Sequence, residues 1–279
     1  LTNPYDATQI SDVTLEARGN TTLKGDIYVD AGSKASIKLY ENSLLTGAVE
    51  NAYINVDGSS QWQMTGNSTV QNLINAGTVA FNSGVVADVL TVKGNYQGNN
   101  GTLIFNSALN GDDSATNKLI VAGDTSGTTN VVVNNAGGTG AQTVDGVELI
   151  HVDGASDGEF VQQGRIVAGA YEYQLGRGAG DNAGNWYLTN WLTEEDTPEE
   201  QPGDNGNGNT PGKPAKPTRA VVRPEAGGYI ANSAAAATLF NLSLHDRLGN
   251  RSLSDVNDEA RSSLWLRQVA GHNRAYMGN

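Results

Sequence analysis

Gly77-Thr78-Val79-Ala80-Phe81 returns further along the chain as Gly101-Thr102-Leu103-Ile104-Phe105. A second echo joins Ile37-Lys38-Leu39, followed by Asn42-Ser43, to Trp62-Gln63-Met64, followed by Asn67-Ser68. Asn20 precedes a similar Thr21-Thr22-Leu23. The offsets are about 22 to 25 residues, within the range of solenoid repeats. A coil of three short strands takes about 20 residues to go once around and stacks on the previous coil by parallel pairing, so that inward side chains form a continuous apolar column. Asn at a corner tolerates left-handed backbone and bonds neighbouring amides. The competing reading is an antiparallel sandwich with similar turn spacing.

Outward from these repeats the character changes. Residues 1–105 read as short β segments, among them Leu23–Tyr28, Ala52–Val56 and Thr102–Phe105, separated by Gly, Asn, Asp and Ser. Residues 106–192 read as longer strands, including Phe160–Val167 and Tyr171–Leu175, with aromatic residues gathering at Phe160, Tyr171, Tyr173, Trp186, Tyr187 and Trp191. A solenoid leaves its last coil open and apolar, and antiparallel strands with large side chains suit a cap. Residues 193–224 hold six of the seven prolines, with acidic residues first and basic residues later. Such a linker buries too little apolar area to offset its ordering entropy and is predicted to be extended and mobile. Residues 225–249 are helical in composition: Ser233-Ala234-Ala235-Ala236-Ala237 leads to Phe240, Leu244, Arg247 and the capping Gly249. In 250–279, Ser263-Leu264-Trp265-Leu266-Arg267 reads as a strand. Leu1 follows no initiator Met and Asn279 ends on no terminal motif, so both ends read as cuts through a longer chain.

Composition narrows the function. The formal net charge of -13 argues against nucleic-acid binding, where basic residues supply most of the affinity. The absence of cysteine excludes disulfides, thiolate metal sites and a cysteine nucleophile. Glycine is abundant at 35 residues and charged residues are 17%, a balance suited to short strands and tight turns. No apolar run of about 18 residues exists to form a transmembrane helix.

The candidate chemistry is thin. His151, Asp153 and Ser156 are close in sequence, but no nucleophile elbow or oxyanion-hole signature accompanies them, and a strand end entering a polar turn is the better reading. Asp112-Asp113 and Asp181-Asn182 sit in Gly-rich turns with neither EF-hand nor glycine-rich nonapeptide spacing. His245 and His272 share no metal-ligand spacing. The chain is therefore expected to be no enzyme, with no cofactor and no metal.

Particular segments resemble the type Va autotransporters of Gram-negative bacteria, in their AIDA-like adhesin branch. Gln61-Trp62-Gln63-Met64-Thr65-Gly66-Asn67-Ser68-Thr69-Val70 is similar to a coil signature of their passengers. The segment from Leu119 through Gly123-Asp124-Thr125-Ser126-Gly127, then Ala168-Gly169-Ala170-Tyr171-Glu172-Tyr173, then Asn185-Trp186-Tyr187-Leu188, are similar to their autochaperone region. Leu244-His245-Asp246-Arg247-Leu248-Gly249 resembles the end of the linker helix, and Ser263-Leu264-Trp265-Leu266-Arg267 the opening strand of the translocator barrel.

The fold this resemblance implies is all-β. A right-handed parallel β-helix is capped by a β-sandwich-like autochaperone region, then come a disordered linker and a single α-helix threading the barrel lumen. The implied coil core is Trp62, Met64, Phe81 and Phe105. The implied folding and capping core is Phe160, Tyr171, Tyr173, Leu175, Trp186, Tyr187 and Leu188. Ala234, Ala235, Ala236, Phe240, Leu244 and Arg247 fall on the linker helix, and Trp265 and Arg267 start the barrel. The implied partners are the chain's own C-terminal β-barrel and through it the outer membrane, the barrel-assembly machinery, periplasmic chaperones, and a host surface or a second copy of the chain. The implied place is the cell surface and outer membrane. Some family members release the passenger through an Asn-Asn pair in the linker helix. The matching positions here are Leu242-Ser243, with Asn241 shifted, so that activity is not carried over.

Overall fold

The computed structural model describes residues 11–191 and 223–239. The chain divides into two units, Leu1–Val222 and Arg223–Asn279. The first unit is a stack of β coils. β1 (Asp12–Ala17), β2 (Thr22–Lys24) and β3 (Ile27–Tyr28) make one coil. β4 (Lys34–Leu39), β5 (Leu44–Thr46) and the start of β6 (Val49–Val56) make the next. The end of β6, β7 (Gln61–Met64) and the start of β8 (Ser68–Asn75) follow, then the end of β8, β9 (Thr78–Phe81) and β10 (Val89–Val92). β11 (Tyr96–Ser107) with β12 (Lys118–Val121), β13 (Thr125–Asn135) with β14 (Val147–Val152), and β15 (Glu159–Gln162) complete the stack.

Each strand pairs in parallel with its counterpart one coil on, which builds three faces. On the first face Ile37 pairs with Ile54, Ile54 with Leu73, and Leu73 with Tyr96. On the second Leu23 pairs with Leu45, Leu45 with Trp62, Trp62 with Val79, and Leu103 with both Val79 and Val131. On the third Leu90 pairs with Leu119, and Leu119 with Ile150. Apart from the adjacent buried pair Leu149 and Ile150, these inward residues alternate with less buried ones on the outer face, some polar and some apolar such as Ile74, Ile104 and Ile120, and their apolar columns fill one continuous core.

The repeat seen between Gly77–Phe81 and Gly101–Phe105 is the true register, with Thr78 opposite Thr102. The second echo is not. Ile37 stacks on Ile54, whereas Trp62 stacks on Leu45, so the two similar segments occupy different faces. Strands on every face alternate buried apolar residues with less buried ones before a corner, so short motifs recur between faces as well as between coils. Coil length also varies: corner bonds span 17, 19, 22 and 23 residues early and 29 and 31 later.

Parallel stacking continues past residue 105, because β12 to β15 pair in parallel with the coils before them. Apart from an isolated bridge between Ser107 and Thr116, every antiparallel pairing among the described residues involves β16 (Ile166–Ala168), β17 (Tyr171–Arg177) or β18 (Trp186–Thr189). The longest strands are long because one strand bends around a corner and serves two faces. Asn100 does this within β11 at φ 61, and Asn51 within β6 at φ 62. The single strand predicted over Phe160–Val167 is split between β15 and β16, on either side of Gly164.

The second unit contains α1 (Pro224–Leu239), with Pro at its first position, where a missing N–H costs no helix bond. Ala234 and Ala236 are exposed on it, and Ala235 lies on the same helix. The proline-rich linker, Phe240, Leu244, Arg247 and the strand of Trp265 and Arg267 lie outside the described residues. No described helix is long and apolar enough to cross a membrane.

Candidate functional site: the capped end of the solenoid

The last coil would expose unpaired backbone and an apolar cross-section, and the cap covers both. β18 pairs antiparallel with β14, and β17 with β18, so one edge of the final coil is closed by backbone. Elsewhere side chains take the place of a next coil. Asn185 Oδ1 accepts the Val152 amide at 2.9 Å. Arg177 donates to the carbonyl oxygens of Ser156 at 2.9 Å and Gly158 at 2.7 Å, and to Ser156 Oγ at 3.3 Å. Tyr173 donates its hydroxyl to the Asn110 carbonyl at 2.6 Å, and the same oxygen accepts from the Ala141 amide at 3.1 Å. Asn190 ties Thr143 and Ala141 through both ends of its carboxamide.

An aromatic run passes from coil to cap. Tyr96 stacks on Phe160 with centroids 5.8 Å apart, and Phe160 meets Trp186 edge-on at 5.4 Å. The Arg177 guanidinium lies over the indole at 4.6 Å. Tyr96 and Phe160 sit two coils apart. They reach each other because the coil between presents the smaller Thr125 and Thr129 inward, and Thr129 Oγ1 is 2.8 Å from the Tyr96 hydroxyl. Burial pushes the Tyr96 phenol up to about 12, against the lowering effect of hydrogen bonds from Thr129 and Asn75. The Trp186 indole N–H is buried without a hydrogen-bond partner, so the ring is held by packing and the cation above it.

Of the anticipated capping core, Phe160, Tyr173, Trp186 and Leu188 are buried, and Tyr171 and Leu175 pack against them half-buried. Tyr187 points the other way, because strand alternation sends it outward between Trp186 and Leu188, with its hydroxyl 3.4 Å from Glu148. The anticipated coil residues Trp62, Met64, Phe81 and Phe105 are all buried, with Phe81 and Phe105 rings 5.3 Å apart. The Trp62 indole donates to the Gly47 carbonyl at 3.0 Å.

Sequence reasoning expected corner Asn residues to bond neighbouring amides but did not place the corner ladder that leads to the cap. Asn72 Oδ1 accepts the Asn95 amide at 2.9 Å, Asn95 Oδ1 the Asp124 amide at 3.0 Å, and Asp124 Oδ1 the Ala155 amide at 2.8 Å. Ala155 has no side-chain acceptor to pass on, so the ladder stops where the coils stop. A methyl on Gly123 would lie 2.6 Å from the Gly94 carbonyl oxygen, and one on Gly154 would lie 2.6 Å from Asp124 Oδ1, so this corner needs glycine. The Gly-Asn and Gly-Asp dipeptides at 94–95 and 123–124 were the available signal.

His151 shows why a triad is not assembled. Its Nδ1 is 3.0 Å from Glu148 and its Nε2 3.1 Å from Asp153, so both ring nitrogens face carboxylates, while Ser156 belongs to the Arg177 contact. Asp112 instead accepts the backbone amides of Val144, Asp145 and Gly146, which makes it a loop tie. Among the described residues no group of His, Asp and Glu could hold a metal ion.

Residues 68–175 match the family model described as Autochaperone Domain Type 1. The chain is 39% identical to YuaQ of Escherichia coli K12 over 98% of its own length and 20% of that protein. It is 48% identical to YdeU of the same strain, over 70% of the chain and 42% of that protein. It is 37% identical to the autotransporter adhesin AIDA-I of Escherichia coli, over 66% of the chain and 13% of the adhesin. The chain thus spans less than half the length of each of these relatives. The capped coils, the autochaperone match and these likenesses together make the chain part of an autotransporter of the AIDA-like type, a protein of the Gram-negative cell surface and outer membrane.

Proposed function

We propose that this chain is a structural and secretion module: it folds the passenger β-helix from the capped end and tethers it to an outer-membrane barrel of the same protein. The observation that carries this reading is the run Tyr96–Phe160–Trp186–Arg177, which belongs to coil and cap at once. Each coil mainly contacts its neighbour, so a stable end supplies the edge on which the next coil forms. Barrel-assembly machinery and periplasmic chaperones are the partners such export requires. The whole protein is read as a non-enzymatic adhesin and virulence factor, engaging a host surface or a second copy of itself. The alternative is a stalk whose passenger is an enzyme or recruits a host protein. The linker and helix assignments at 193–224 and 225–249 belong to this proposal.

Denaturant unfolding of Trp186→Ala with separate probes in residues 60–105 and 120–190 tests the folding role. Truncating a buried Trp costs about 3–5 kcal/mol. Both probes are expected to shift together, with reduced surface display of the full-length protein. A shift of the second probe alone, with display unchanged, would make the cap a passive end-piece.

A further inference from the structure

The seam between β14 and β18 carries a cluster of titratable groups that the aromatic run does not use. It sits at a flaw in the pairing. Glu148 is opposite Tyr187 and Ile150 opposite Trp186, so β14 has a bulge at Leu149, and Leu149 and Ile150 both turn inward. The interrupted ladder is bridged by side chains. His151 and Glu148 come from β14, Asp153 follows it, Lys118 reaches in from β12 with Nζ 3.2 Å from Glu148, and Tyr187 and Asn185 come from the cap.

Asn185 is the hinge of this cluster. Its Oδ1 is committed to the Val152 amide, which fixes the orientation of the carboxamide. Its Nδ2 is then 3.1 Å from His151 Nδ1 and 3.3 Å from Glu148 Oε1. Two arrangements follow. With the imidazole protonated, Nδ1–H donates to Glu148, Nε2–H donates to Asp153, and Asn185 donates to Glu148. With the imidazole neutral only one ring N–H remains. The Nε2–H tautomer keeps Asp153, and Nδ1 becomes an acceptor for Asn185, so Glu148 loses the imidazolium donor.

We propose that this seam is a proton-sensitive clasp, in which His151 exchanges Glu148 for Asn185 as its Nδ1 partner and so sets how firmly the cap holds the last coil. Its direction follows from linkage. The Glu148 hydrogen bond raises the His151 pKa above its ordinary value near 6.5, burial opposes this, and Asp153 reinforces it. The stabilisation is therefore complete below about 6.5 and is lost as pH rises through the folded-state pKa. For Glu148, burial disfavours the charge, but hydrogen bonds from His151 and Lys118 outweigh it and hold the carboxyl below its ordinary range. That contribution is complete above an unfolded value of about 4.3 and is lost as pH falls through the folded one. The clasp is tightest in the mildly acidic window between them.

Hydrogen exchange of the Val152 and Leu188 amides, corrected for intrinsic rates, reads this opening directly, alongside NMR titration of the His151 ring. In the full chain, opening is expected to be several-fold more frequent at pH 8 than at pH 6, with a His151 midpoint above 6.5. In His151→Gln the difference should vanish. Equal opening at the two pH values in the unaltered protein, a midpoint at or below 6.5, or a pH dependence that survives in His151→Gln each overturns the proposal. The midpoint in the unaltered protein decides the matter even where the variant fails to fold.

Discussion

Tyr96 shows how much a single side chain can be asked to do in a stacked fold. Its ring touches a residue two coils away, and its hydroxyl is sealed against Thr129. Its pKa near 12 implies a definite alkaline behaviour. Between pH 10 and 12 the unfolded chain releases this proton and the folded chain keeps it, so stability falls as pH rises. The loss reaches about 2–3 kcal/mol by pH 12. Tyr96→Phe should flatten that part of an alkaline unfolding profile, and an unchanged profile would mean the phenol is not sealed. Gly123 makes the opposite point, through space rather than charge. Gly123→Ala drives a methyl toward the Gly94 carbonyl, and overpacking of this kind costs about 1–3 kcal/mol, readable as a lowered urea midpoint.

At the scale of elements, the corner ladder of Asn72, Asn95 and Asp124 fixes the spacing between coils where the strands themselves turn away. Asn95→Ala leaves the Asp124 amide without its acceptor and should cost about 1 kcal/mol or somewhat more. Asn72→Ala should cost a similar amount, and the two losses should not add independently, since the bonds share Asn95. A double-mutant cycle by urea unfolding measures that coupling. Alternation and corner chemistry were legible in the sequence: Trp62, Met64, Phe81 and Phe105 lie inward as their strands require. Coil identity was not, because Ile37-x-Leu39 and Trp62-x-Met64 look alike yet lie on different faces. The end of parallel pairing was also hidden. β13 and β15 differ from cap strands only in what lies beside them, and strand composition says nothing about partner direction. Tyr187 was taken for core because it is aromatic, whereas its place in the strand turns it toward Glu148.

For the first unit as a whole, chain length is distributed unevenly over a regular stack. The three faces keep their register while the later coils take up more residues, and the surplus leaves at one corner, as segments 82–88, 108–117 and 136–146 between the second face and the third. Pairing fixes the advance per coil at about 4.8 Å, so the axial step stays constant while the contour stored in it grows. Mechanical extension of the unit would expose that difference. A coil of 17 residues releases about 6 nm when pulled straight, and one of 31 residues about 11 nm. In an optical trap the unit should therefore come apart in unequal increments, and the size of each would report which end of the stack had yielded.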